Sequence, residues 1–89
     1  MLTLRTQSRF KKDAKKYQYD KKASAAILRA IELLKTGQPV PSQYREHLLI
    51  GEYVGCLECH CLSDVLLIYE RTATELIVHR VGSHSEVFR

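Results

Sequence analysis

Nothing in this chain is long and apolar enough to cross a bilayer, which takes ~20 consecutive apolar residues. That argues against a membrane protein. The start, Met1 to Thr6, alternates polar with apolar residues and has no signal-peptide pattern, so a cytoplasmic location is expected. Cysteine is scarce and odd in number. Three residues without an export signal read as reduced thiols rather than a disulfide framework. Repeats and low-complexity segments are missing too, and 45% hydrophobic residues argue against disorder. The 89 residues allow one small domain, 1–89, with a single core.

A second pair of metal ligands is also lacking. Cys56, Cys59, His60 and Cys61 superficially suggest zinc, but a zinc knuckle needs a tight turn to converge its sulfurs. In an extended strand Cys56 points to one face while Cys59 and Cys61 point to the other. No helix starts at the second cysteine, as a thioredoxin-like redox pair requires. Cys59 and Cys61 therefore read as small buried hydrophobes, and no metal or cofactor is expected.

Charge is present, and unevenly placed. Residues 1–22 hold eight basic residues against Asp13 and Asp20, a local balance of +6 within a net +4, which leaves the rest at −2. Such a segment suits phosphates, an acidic partner or an anionic surface; the plainer reading is a solvated helix face.

Leu2 and Leu4 alternate with Thr3 and Arg5 in a short strand. Ser8 is a candidate N-cap for a helix to about Tyr19. On it Phe10, Ala14 and Tyr17 form an apolar stripe opposite Lys11, Lys12, Lys15 and Lys16. Asp20 or Ser24 can cap a second helix to about Lys35, with Ala23, Ile27, Ala30, Ile31 and Leu34 on one face, ended by Gly37 and Pro39. Residues 38–50 read as a loop with His47 late in it. Glu52 to Leu62 reads as a strand with Val54, Cys56, Glu58 and His60 on one face and Tyr53, Leu57, Cys59 and Cys61 on the other. Val65 to Glu70 is apolar enough for a central strand covered on both faces. Leu76 to Val81 is a fourth strand, and Gly82 frees the tail with His84 and Phe88 to fold back. The order strand, helix, helix and three hairpin-linked strands predicts an α+β domain (β-α-α-β-β-β). Two N-terminal helices pack on one face of a small antiparallel sheet, with Glu58 and His60 on the other.

Metal-free RNA cleavage needs a base for the ribose 2′-hydroxyl, a cation for the phosphate charge, and an acid for the departing 5′-oxygen. Histidine suits both proton roles, since its unperturbed pKa of about 6.5 lies close to working pH. Arginine suits the phosphate. Glu58 and His60 share a face, Asp64 follows across a short turn, and Arg80 and His84 come from the next strand and the bend after it.

The run from Arg45 to Phe88 resembles the RelE superfamily of bacterial toxins, in its YafQ-like branch. The matching pieces are Glu46-His47, Gly51 with Tyr53 and Gly55, Glu58-Cys59-His60, Asp64 leading into Leu66-Leu67-Ile68-Tyr69, Arg80, and Gly82-Ser83-His84 ending in Phe88. The first half matches in the order of its elements. The resemblance implies a ribosome-dependent, metal-independent mRNA endonuclease neutralised by a cognate antitoxin. It also implies a toxin monomeric alone and part of a higher-order complex with the antitoxin. Active positions would fall on His47, His60, Asp64, His84 and Phe88, with Glu58 and Arg80 as helpers. His84 is then the general acid; His47, His60 and Asp64 all stand as the base. Arg80 would hold the scissile phosphate and Phe88 would stack on a base, worth about 1–3 kcal/mol in comparable platforms. Lys11, Lys12, Lys15 and Lys16 would anchor ribosomal RNA. Some members place an aromatic after the aspartate where this chain has Val65, so codon preference does not carry over.

Plainer roles stand beside these. His47 is an ordinary loop histidine in that reading, and His79 is structural or on the surface. Glu58 pairs with Arg80 on the surface for about 0–1 kcal/mol. Asp64 starts a strand through a turn hydrogen bond. Phe88 plugs the core, and Tyr17 and Tyr53 pack. The rival functions are a non-catalytic RNA-binding or protein-interaction module on the same scaffold, and a metalloprotein.

Overall fold

The computed structural model describes residues 1–88. Five strands form one sheet: β1 (Thr3–Thr6), β2 (His47–Leu48), β3 (Leu57–Leu62), β4 (Val65–Arg71) and β5 (Glu75–Gly82), in the spatial order β1-β5-β4-β3-β2. The helices among the described residues are α1 (Ser8–Ala14), α2 (Lys21–Lys35) and a short α3 (His84–Val87). None is long and apolar enough to cross a membrane.

The expected α+β class is what forms, with two corrections to the sheet. It is mixed, because β1 lies parallel to β5 while the other pairs are antiparallel. Alternation within a strand identifies its buried face but carries no information on neighbour or direction. Both edges of β4 are taken by hairpin partners, so β1 adds at the free edge of β5. The second correction is β2, a two-residue strand inside the expected loop, which pairs His47 with Glu58 and Leu48 with Leu57.

α1 stops at Ala14 rather than Tyr19, and a 3-10 turn at Lys15–Tyr17 tightens the chain into Asp20. Ser8 lies inside the helix, with Gln7 at the cap and no side-chain cap bond. Asp20 does cap α2: its Oδ1 accepts from the Ala23 N–H at 3.0 Å, an interaction worth about 1 kcal/mol. β3 begins at Leu57 rather than Glu52. Gly51 (φ 73°) and Gly55 (φ 92°) bracket a 3-10 turn at Gly51–Tyr53, in backbone that an extended strand cannot adopt.

The sheet is covered on both sides. Phe10, Ile27, Ala30, Ile31 and Leu34 pack from the helices onto Cys59, Leu67, Tyr69, Leu76, Val78 and Val81. Each fully buried large side chain there contributes about 1.5–3 kcal/mol. The opposite face carries a smaller cluster of Leu49, Cys56, Leu66, Ile68 and Val87, with Tyr53 and Phe88 against it. Tyr53 therefore packs on the face opposite to the one its parity suggested. Cys56 lies across the sheet from Cys59 and Cys61, as expected.

Val78 and Val81 both reach the helix side although they are three residues apart. A bulge in β5 makes this possible: Tyr69 pairs with Val78 and Ile68 with Arg80, leaving His79 as the extra residue. His79 and Arg80, expected at opposite parity, line one cavity together.

Arg80 is buried against Asp13 of α1. Its Nε donates to Asp13 Oδ2 at 2.6 Å, its Nη2 to Oδ1 at 3.2 Å, and its Nη1 to the Tyr53 hydroxyl at 3.1 Å. Asp13 Oδ2 also accepts from the Val81 N–H at 3.2 Å, serving β5 beyond the end of β1. The paired carboxylate, outweighing desolvation, pushes the Arg80 pKa up. Glu58 is not its partner.

Removing one member of such a buried pair strands the other. Asp13→Ala is expected to cost about 3–5 kcal/mol in urea unfolding, against under about 1 kcal/mol for Lys11→Ala on the exposed face.

Candidate active site

β2 and β3 set the first half of the site. Direct pairing brings His47 beside Glu58, and the two-residue period puts His60 on the same face. Glu58 is only 2% exposed, and its Oε1 lies 3.4 Å from His47 Nε2 and 3.3 Å from His60 Nε2. One buried carboxylate thus sits between two imidazoles. The other His47 nitrogen, Nδ1, is 3.0 Å from the Arg45 carbonyl. Both ring nitrogens of His47 thus face oxygen atoms.

The segment before His47 is firmly tied. The Tyr69 hydroxyl donates to Glu46, Arg71 Nη2 lies 3.7 Å from Glu46 Oε2, and Arg71 Nη1 donates to the Gln38 carbonyl at 2.8 Å. Burial, and then the bond to Glu46, raise the Tyr69 pKa, so its hydroxyl keeps the proton it donates. Between these ties Arg45 takes a left-handed conformation (φ 52°, ψ 46°), which costs a non-glycine residue roughly 1–2 kcal/mol.

The tail supplies the second half. Ser83 and Glu86 form a reciprocal capping box on α3: the Ser83 N–H donates to Glu86 Oε1 at 2.8 Å, and the Glu86 N–H to Ser83 Oγ at 3.3 Å. Asp64 accepts from the His84 N–H at 3.1 Å, tying α3 to the β3–β4 turn. Lys16 reaches Glu86 at 3.3 Å. Gly82 is not the flexible joint expected of it. It ends β5, and a Cβ there would meet Glu86 Oε1 at 3.0 Å and a Val87 methyl at 3.2 Å, so any side chain would press on the capping box and shift these neighbours by a few tenths of an ångström.

These halves meet at one opening. His47, Glu58, His84 and Phe88 line a cavity of about 300 Å³ with Leu48, Leu49 and Ile50, and His60 joins it through Glu58. The Phe88 ring centroid is 4.9 Å from that of His84 and 6.0 Å, edge-on, from that of Tyr53. Phe88 is half-buried, part core and part cavity wall. Asp64 touches the site through the His84 backbone. Arg80 does not line this cavity; it is engaged with Asp13, and Tyr53 connects it to Phe88. Lys11, Lys12, Lys15 and Lys16 are exposed, Lys16 being the one drawn to Glu86. His79 lies elsewhere, its Nε2 2.7 Å from Glu70 Oε1, and Cys56 completes a trio with them whose ligand atoms fall within 4.8 Å.

Residues 2–89 match the family described as the bacterial toxin of type II toxin–antitoxin systems, YafQ. The chain belongs to that family. The mRNA interferase toxin YafQ of Escherichia coli K12 is 34% identical to it over 56 residues, 63% of this chain and 61% of that protein. The chain thus spans about three fifths of the length of the curated relatives it matches. YafQ from E. coli BL21(DE3) superposes over 100% of both chains with a TM-score of 0.90 at 27% identity. A copper-bound mutant toxin from Helicobacter pylori does so over 99% of this chain and 100% of its own, with a TM-score of 0.88 at 35% identity. YafQ in the E. coli DinJ–YafQ toxin–antitoxin complex covers 99% of this chain and 98% of its own, at 0.88 and 28%. The α+β arrangement read from the sequence is therefore the YafQ fold.

Sequence reasoning missed Asp13, Glu46 and the anchoring use of Tyr53. Asp13 had a signal: it is an acidic residue three positions from Phe10 on an otherwise cationic helix. Glu46 stood beside His47 in the family resemblance, but nothing in the sequence pointed to its partners Tyr69 and Arg71, which come from a distant strand.

The Ser83 backbone bond, followed by the Lys16 contact, lowers the Glu86 pKa below its ordinary 4.5. A lowered carboxylate stabilises the fold above its unfolded pKa and loses that contribution as pH falls through the folded value. The stability advantage of the native chain over Glu86→Gln is therefore expected to be constant near neutrality and to shrink below about pH 4.5 in denaturant titrations.

Proposed function

We propose that the chain is the toxin of a type II toxin–antitoxin pair, an endoribonuclease that cleaves mRNA on the ribosome by 2′-hydroxyl attack. The observation that carries this reading is the pair of imidazoles against one buried carboxylate, Glu58, which with His47 lines the cavity that His84 and Phe88 also line. A binding module has no need of a buried charge spent on two histidines. The family name given to the E. coli relative, mRNA interferase toxin, supports the same activity.

In this mechanism His60, oriented by Glu58, takes the 2′-hydroxyl proton. The 2′-oxygen attacks the adjacent phosphorus, and the bond to the 5′-oxygen breaks. His84 donates the proton that oxygen needs, leaving a 2′,3′-cyclic phosphate and a 5′-hydroxyl. His47, on the wall of the same cavity, donates a hydrogen bond to the phosphate oxygens as charge builds there. Asp64 positions His84 by holding the first turn of α3. Arg80 acts at one remove, fixing Tyr53 and through it Phe88, which stacks on a base. No residue in this scheme calls for a metal.

The partners follow the same reading. Leu48 and Ile50, on the cavity rim, are 71% and 89% exposed, apolar area that an antitoxin gains by covering. The E. coli YafQ toxin is found with its antitoxin DinJ. Lys11, Lys12 and Lys15 face solvent unpaired among the described residues and are the cationic anchor for ribosomal RNA.

Expression without a partner is expected to arrest growth. His84→Ala or His60→Ala should abolish the arrest, and cleavage of ribosome-bound mRNA in the presence of EDTA should fall about 10²–10⁴-fold. Arrest indifferent to both changes would leave only a binding module. Changing Lys11, Lys12 and Lys15 to glutamine is expected to flatten the salt dependence of ribosome binding by about two to three units of log–log slope, while unaltered binding would remove the anchor.

A further inference from the structure

His60 also lines a second opening of about 410 Å³, where Arg29, Gln43, Tyr44, Arg45 and Ser63 surround it together with Cys61 and Leu62. The mechanism above does not use it. Two arginines reach it from different elements. Arg29 comes from the exposed side of α2, and Arg45 from the turn before β2. Neither makes an ion pair or a side-chain hydrogen bond among the described residues, unlike Arg5, Arg71 and Arg80, which all have carboxylate partners. The result is two uncompensated guanidinium groups beside a catalytic histidine.

Arg45 is also the non-glycine residue that the described chain holds at positive φ. Its neighbours impose this conformation: the 3-10 turn Ser42–Tyr44 ends in a bond from the Arg45 N–H to the Ser42 carbonyl at 3.0 Å, and its own carbonyl faces His47 Nδ1 at 3.0 Å. Glycine or asparagine would sit there at lower cost. A strained position occupied by a long cation, with that cation on the wall of a cavity, is the pattern of backbone strain kept for binding.

We propose that Arg29 and Arg45 form a phosphate subsite for the RNA strand, holding a backbone phosphate that neighbours the scissile one on the His60 side. The ligand chemistry is a phosphodiester of single-stranded RNA. Guanidinium forks match phosphate oxygens, and Gln43 and Ser63 supply neutral hydrogen-bonding groups around them. Such a subsite reads no base; it sets where along the strand the cleaved bond lies relative to His60. The inference rests on the ribonuclease reading of the neighbouring cavity.

The test uses the full chain carrying His84→Ala, titrated with a short single-stranded oligoribonucleotide and followed by amide chemical shifts, with and without Arg29→Gln and Arg45→Gln. Shifts at Arg29, at residues 43–45 and at Ser63 are expected, with each arginine change weakening binding about tenfold and reducing the salt slope by about 0.7. Arg45→Gly separates strain from folding. It should melt at or above the parent temperature while binding RNA as weakly as Arg45→Gln. Absence of shifts around Arg29 and Arg45 at saturating RNA, or binding that survives the double change, overturns the subsite. In the otherwise native chain, cleavage unaffected by the double change also overturns it and leaves the ribonuclease standing. RNA binding that needs both arginines, in a chain that never cleaves, sinks the ribonuclease and keeps the subsite.

Discussion

The bond between Asp13 and Arg80 joins the first helix to the last strand and, through Tyr53, to the tail. β1 is too short to satisfy β5 along its full length, and at the point where it ends the Asp13 carboxylate takes the Val81 N–H. The same carboxylate grips the Arg80 guanidinium, so the cationic helix, the last strand and the tail behind it are fixed by one charged group. From Arg80 the chain of contacts runs to the Tyr53 hydroxyl, to the Phe88 ring edge and on to His84. A buried ion pair gives little net stability compared with apolar packing, but it defines a geometry that apolar packing leaves loose. Here that geometry concerns one wall of the candidate active site.

The opposite wall depends on a different use of buried charge. Glu58 points away from the helices, into a small cluster under the 49–56 loop, where an unpaired carboxylate would be costly. Two imidazoles lie against it, with His47 Nε2 at 3.4 Å and His60 Nε2 at 3.3 Å from its Oε1, so one buried carboxylate brings both rings to the same place on the sheet. Glu46 does related work one step earlier, through Tyr69 and Arg71, by anchoring the chain that leads into His47.

The two faces of the sheet have divided their tasks accordingly. The helix side is apolar and closely packed, and it supplies most of the stability. The loop side holds only a small cluster, and around its rim lie the histidines, the exposed Leu48 and Ile50, and the strained Arg45. Departures from local preference are concentrated where ligands are expected, and the packed layer beneath carries their cost.

Periodicity and punctuation in the sequence by themselves determined the two helices, the Asp20 cap, the apolar centre of β4 and the shared face of Glu58 and His60. Each depends on residues within a turn or two of one another, where spacing alone sets direction. The resemblance of the second half supplied the family and the names of the site residues. The tertiary structure decided everything that depends on strands meeting: that β1 runs parallel to β5, that a two-residue strand brings His47 to Glu58, and that a bulge places His79 and Arg80 on one cavity. It also decided that Arg80 belongs to Asp13 rather than to Glu58. Partners 67 residues apart leave no periodic trace, because an ion pair is set by where two backbones cross and not by the sequence around either residue.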